Sequence, residues 1–99
     1  MNTKLLVPTD FSEVAQSAMQ HGIKFAEIIN ADLVLLHVVS SREDVEQAKE
    51  KLNKEITLGN SFSNTCKITS FVRIGNIFED IGDVAAELGI SLIFMGTHK

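Results

Sequence analysis

Disulfide chemistry is closed to this chain, because its one cysteine among 99 residues, Cys66, has no second thiol to pair with. That cysteine and three scattered histidines also lack the ligand spacing of a zinc finger or ribbon. A reducing, intracellular compartment suits such cysteine usage. No run approaches the roughly 18 apolar residues of a membrane span. The opening MNTKLLVPTD offers only Leu5, Leu6 and Val7 as an apolar run before its proline, too little for a secretory core. The expectation is a cytoplasmic protein, neither secreted nor membrane-bound. Arginine is scarce, limited to Arg42 and Arg73, and 9 basic against 13 acidic residues leave a net charge of −4, which disfavours nucleic acid as a partner. The Gly-x-Gly-x-x-Gly fingerprint and the Gly-x-x-x-x-Gly-Lys-Ser/Thr loop are both missing, so neither common route to nucleotide binding is open. There are no repeats and no low-complexity segments.

What is present is one domain's worth of core, with 44% hydrophobic and 22% charged residues. Folding at this length buries about 65% of the unfolded surface. The hydrophobic period changes repeatedly along the chain. Lys4 to Val7 is an apolar run stopped by Pro8, Thr9 and Asp10, which reads as a buried strand ending in a loop. From Ser12, apolar residues at Ala15, Ala18, Met19, Gly22, Ile23, Ala26 and Ile29 form one helical stripe. Either Ser12 caps that helix or Asp10 does, with Glu13 reaching back. Leu33 to Val39, rich in β-branched residues, suits a central parallel strand covered on both faces. Val45, Ala48, Leu52 and Ile56 mark a second, more polar helix after Ser41 and Asp44, and Gly59 to Thr65 reads as a turn-rich stretch. Alternation from Cys66 to Val72 predicts an outer strand closed by Gly75 and Asn76. Ile77, Ile81, Val84, Ala85 and Leu88 predict a third helix ended by Gly89, and Ile90 to Met95 a last strand. The order β-α-β-α-β-α-β calls for an α/β fold, an open parallel sheet with helices on both faces.

Ligands of such sheets meet the carboxyl ends of the strands. Here those ends carry Pro8, Thr9 and Asp10, then Val38, Val39 and Ser40, then Arg73 and Gly75, then Gly96, Thr97 and His98. Asp10 is placed either to accept from a ribose or to satisfy amides of the following helix. Arg73 either reaches a phosphate or is simply solvated or paired. His21 and His37 read as hydrogen-bonded groups at the edge of the core rather than metal ligands, and Cys66 as a small buried hydrophobe. No carboxylate and histidine set stands at matching strand ends, so acid–base enzymology is not expected.

Three segments together resemble the universal stress protein family: KLLVPTDFSEVAQSAMQHGIKFA at Lys4 to Ala26, ADLVLLHVV at Ala31 to Val39, and SLIFMGTH at Ser91 to His98. The resemblance spans essentially the whole chain. It implies a Rossmann-like sheet of the adenine-nucleotide alpha-hydrolase type, in the order 3-2-1-4-5, and a cytoplasmic role in stress response. In one subclass of the family it also implies ATP, with magnesium as its companion. Carried onto this sequence, the pocket of that subclass falls on Pro8, Thr9, Asp10, Val38, Met95, Gly96, Thr97 and His98. The family's phosphate loop continues from Gly96, Thr97 and His98 to a second glycine, where this chain has Lys99. The family pattern also places a further helix and a fifth strand after that loop. Residues 1–99 are thus expected to form one domain, incomplete at its C-terminal side relative to the family, with four strands of five. Two functions follow: a stress-response regulatory domain with a partial ATP pocket and at most weak ATP hydrolysis, or a module that binds no nucleotide. The second would associate through the sheet edge at Ser91 to Met95, as a homo-oligomer or with another partner.

Overall fold

The computed structural model describes residues 3–96, apart from the side chains of Ile77, Phe78 and Asp80. Strand β1 (Lys4–Pro8) leads into helix α1 (Glu13–Ile29) and strand β2 (Asp32–Val39). A short 3-10 turn at Arg42–Asp44 opens helix α2 (Val45–Asn60), followed by β3 (Ile68–Ile74), α3 (Ile77–Leu88) and β4 (Leu92–Ile93). The four strands form one sheet in the order β3-β2-β1-β4, every pair parallel. The parallel sheet between helices is the architecture read from the periodicity, and the jump of the chain from one side of β1 to the other agrees with the strand order that the family resemblance implies.

The two central strands are apolar because both of their faces are covered. Leu5, Val7, Leu33 and Leu35 turn to one side, where Ala18, Met19, Ile23 and Ala26 of α1 and Leu52 of α2 complete a core with Ile68 and Cys66. Leu6, Val34 and Leu36 turn to the other side and pack with Val84 of α3. Full burial of each such aliphatic side chain contributes about 1.5–3 kcal/mol. Among the described residues no helix is long and apolar enough to cross a membrane.

Helix α1 begins where its cap allows. The Ser12 hydroxyl accepts the Ala15 amide at 3.2 Å, while the Asp10 carboxylate accepts the amide of Ser12 itself at 3.0 Å. Of the two capping alternatives, Ser12 therefore holds the position. The helix ends on Asn30 in the left-handed conformation, whose amide donates to the Ala26 carbonyl. Helix α3 likewise stops at Gly89, with φ of 68°.

Several details differ from expectation. Helix α2 continues through Gly59 and Asn60, because Gly59 is pressed against the Ile68 and Ile23 side chains and its lack of a side chain serves packing rather than a turn. Strand β3 starts at Ile68 rather than Cys66 and runs on to Ile74, since its length follows β2, with Leu33 opposite Ile68 and Val39 opposite Ile74. The apolar run at Ile90 to Met95 supplies only two ladder residues, Leu92 and Ile93, pairing with Leu5 and Leu6. Ile29 lies on the exposed side of the end of α1, and His21 is exposed on that helix instead of sitting at the core edge.

Candidate functional site

The ends of β1, β2 and β4 surround a cavity of about 220 Å³. Pro8, Thr9 and Asp10 come from the end of β1 and the turn after it, His37 and Val38 from β2, Met95 and Gly96 from the segment after β4, and Val14 and Ala15 from the first turn of α1. It lies where the chain order reverses between β1 and β4, the place at which open parallel sheets receive ligands. Its walls are largely aliphatic, with Thr9, Asp10 and His37 as the polar side chains.

Local chemistry fixes the β1–α1 turn. The Thr9 amide donates to the Leu36 carbonyl at 2.8 Å, which extends the β1–β2 ladder by one bond. The Thr9 hydroxyl then accepts the Phe11 amide at 3.0 Å, and Asp10 accepts the Ser12 amide. These two side-chain turns hold Phe11 at φ of 67°, a left-handed conformation rare for a bulky residue and costing about 1–3 kcal/mol. The Phe11 ring has two partners. His37 lies at 4.5 Å between ring centroids, and the Lys51 ammonium lies 5.5 Å above the ring.

His37 Nδ1 is 2.7 Å from the Thr9 carbonyl oxygen. A carbonyl only accepts, so Nδ1 carries the proton and donates. The imidazole is on the main chain of Thr9 and not on its hydroxyl, so His37 is not placed to activate that hydroxyl as a nucleophile. Among the described residues no group of His, Cys, Asp or Glu side chains could hold a metal ion.

Gly96 is dictated by close approach. A Cβ there would lie 2.5 Å from Val14 Cγ1 and 2.8 Å from the Val14 carbonyl oxygen. The segment after β4 therefore passes directly over the first turn of α1 and closes that side of the cavity.

Six of the eight residues singled out from sequence, Pro8, Thr9, Asp10, Val38, Met95 and Gly96, meet at this cavity. Thr97 and His98 lie outside the described residues. Val39 and Ser40 face a neighbouring cavity of about 310 Å³ bounded also by Phe11, His37 and Lys51. Arg73 takes its paired alternative, donating to the Glu87 carboxylate of α3 at 3.0 Å. Cys66 is buried, and burial pushes its thiol up from the ordinary value, with the Asp32 and Glu27 carboxylates adding to the shift. It stays protonated at neutral pH, which removes the thiolate that redox chemistry would need. Sequence reasoning did not place Val14 and Ala15 at the site, having read that stretch only as helix; His37 is the hydrogen-bonded core-edge group it was read as, and it lines the cavity as well. The available signal was position: Val14 and Ala15 form the first turn after the Pro-Thr-Asp loop, and His37 adjoins Val38.

A model of the universal stress protein family matches residues 1–99. Universal stress protein MJ0577 of Methanocaldococcus jannaschii is 28% identical over 126 residues, a match covering 99% of this chain and 78% of that protein. The solved structure of MJ0577 superposes with a TM-score of 0.74 at 31% identity, covering 99% of this chain and 76% of the other. The universal stress protein of Archaeoglobus fulgidus in complex with dAMP gives a TM-score of 0.82 at 18% identity, over 94% of this chain and 79% of the other. A universal stress protein in complex with cAMP gives 0.79 at 16% identity, over 93% and 70%. At these last two identities the likeness is one of fold.

Proposed function

Because the chain belongs to the universal stress protein family, we propose that it is a regulatory stress-response domain of the cytoplasm that binds an adenine nucleotide, with the base seated between the ends of β1, β2 and β4. The observation that carries this reading is the cavity itself. At about 220 Å³ it falls below the roughly 300–1,000 Å³ of a site that encloses a whole drug-sized ligand. It suits a single planar ring system, with sugar and phosphates outside. Aliphatic walls from Val14, Ala15, Val38 and Met95 suit the faces of a base, and the exposed Asp10 carboxylate stands at the rim, where a ribose hydroxyl would donate to it. Two relatives of the same fold were crystallised with dAMP and cAMP, which favours adenine among the bases. ATP with magnesium is accommodated in this reading if its phosphates leave past Gly96.

The test is calorimetric titration of the 99-residue chain with AMP and with ATP and magnesium, using GMP as control, while backbone amide signals are followed. Heat with AMP, together with shifts at Thr9, Val38 and Gly96, is the expected result. No heat and no shift at millimolar AMP would remove the reading.

A second reading rests on β4. Leu92, Ile93 and Met95 are 44%, 41% and 55% exposed, and exposed apolar strands invite pairing. Association through this edge, with a second copy or another partner, would then be the function. Sedimentation of the same sample decides it, because a monomer at every concentration leaves self-association without support.

A further inference from the structure

The last bonds between β1 and β2 depart from the ladder. Pro8 stands opposite Leu36, and the Thr9 amide donates to the Leu36 carbonyl at 2.8 Å. In a parallel ladder that continued one step further, the Thr9 carbonyl would accept the amide of Val38. It accepts His37 Nδ1 at 2.7 Å instead. Val39 faces the other neighbour, since its carbonyl accepts the Gly75 amide at 2.9 Å. By alternation the Val38 main chain is turned to the side of β1, beyond its last pair, where the cavity lies. Among the described residues the Val38 amide does not donate to the Thr9 carbonyl or to any other main-chain group outside the strands.

We propose that His37 is a positioning residue for base recognition: its imidazole takes the Thr9 carbonyl, so that the Val38 amide and carbonyl are left to read the edge of a purine. The proposal rests on the nucleotide reading above. The same bond ties the β1–α1 turn to β2, and the Phe11 ring, tilted 45° against the imidazole at 4.5 Å, keeps it in place. An amide beside a carbonyl matches adenine, whose N1 accepts and whose 6-amino group donates. Hypoxanthine reverses both roles, so the site should prefer AMP to IMP.

Two substitutions separate this role from packing. His37→Phe keeps a ring against Phe11 and removes the donor. His37→Asn removes the ring and keeps a donor at the position of Nδ1. Affinity for AMP and IMP is measured by calorimetry on the 99-residue chain, and protection of the Val38 amide by hydrogen exchange without ligand. In His37→Phe, AMP affinity is expected to fall about tenfold, as for one lost hydrogen bond, and in His37→Asn to stay within about threefold of the parent. His37→Phe should also lose the preference for AMP over IMP, while its Val38 amide becomes more protected as Thr9 captures it. Parental affinity in His37→Phe overturns the proposal, as does a loss in both variants that merely follows their unfolding stability. If the parent binds no AMP, the nucleotide reading fails by itself and exchange still decides. Val38 protection rising in His37→Phe and not in His37→Asn supports the positioning role, and unchanged protection overturns it.

Discussion

Two glycines show how the identity of the neighbour, and not the distance alone, sets the cost of a side chain. At Gly96 the nearest atoms to an added Cβ include the Val14 carbonyl oxygen at 2.8 Å and its carbon at 3.1 Å, main chain of a capped helix turn that cannot move aside. Gly96→Ala is expected to destabilise by about 1–3 kcal/mol in urea unfolding, the usual cost of forcing extra volume into a packed site. At Gly59 the nearest atom is Ile68 Cδ1 at 2.7 Å, the far end of a flexible side chain. There the clash competes with the roughly 1 kcal/mol that alanine gains over glycine in a helix. Gly59→Ala should change stability by less than half as much as Gly96→Ala. Equal losses at the two positions would show that the segment after β4 does not press on α1. Gly96 thus serves the cavity through its size, a role that a sequence reader would otherwise assign to a phosphate loop.

Elements were legible wherever one periodicity ran uninterrupted, and blurred where packing overrode local signals. The stripe from Ala15 to Ala26, the run from Leu33 to Val39 and the stop at Gly89 needed no structure to be read. Gly59 looked like a turn residue and sits inside α2, because a contact with β3, distant in sequence, decides its use. Strand β4 looked six residues long and pairs over two, because β1 offers only Leu5 and Leu6 as partners there. Six residues of the candidate site could be read from strand ends. The bond from His37 to the Thr9 carbonyl could not, because it depends on the register of two strands 28 positions apart. Capping of α1 tests the division of labour between Ser12 and Asp10. Ser12→Ala removes the acceptor of the Ala15 amide and should cost about 1 kcal/mol. Asp10→Ala removes an acceptor at an exposed turn and should cost less than half of that, because water can replace it. Urea midpoints of the two variants measure this, and the reverse ranking would make Asp10 the cap.

At the scale of the whole molecule, the two faces of the sheet are unequally secured. On one face α1 and α2 together bury a continuous cluster from Leu5 to Ile68. On the other, the fully buried members among the described residues are Leu6, Val34, Leu36 and Val84 of α3, with Ile81 and Leu88 of α3 half-buried against them. The connection to β4 is equally slight, since its ladder has only two residue pairs. Local opening follows the density of buried apolar contacts and ladder bonds. Amides of α3 and β4 should therefore exchange with solvent at a lower free energy than those of β1, β2 and α1. Val84→Ala should widen the gap, since it removes two methyl groups from that small cluster at about 1–2 kcal/mol. Native-state hydrogen exchange at increasing urea separates the two sets, and a single free energy for all amides would mean that the sheet opens as one unit. The consequence for function lies in how the cavity is built. Its Pro8, Thr9 and Val38 side belongs to the firmly held half, while Met95 and Gly96 follow β4 in the half that opens first. A nucleotide bridging the two would raise the free energy of opening the weaker half by RT ln(1 + [L]/Kd), about 2.7 kcal/mol at a hundredfold excess over Kd. Opening of the β4 side and loss of the ligand would then be one event, and the β4 amides would report occupancy of the site.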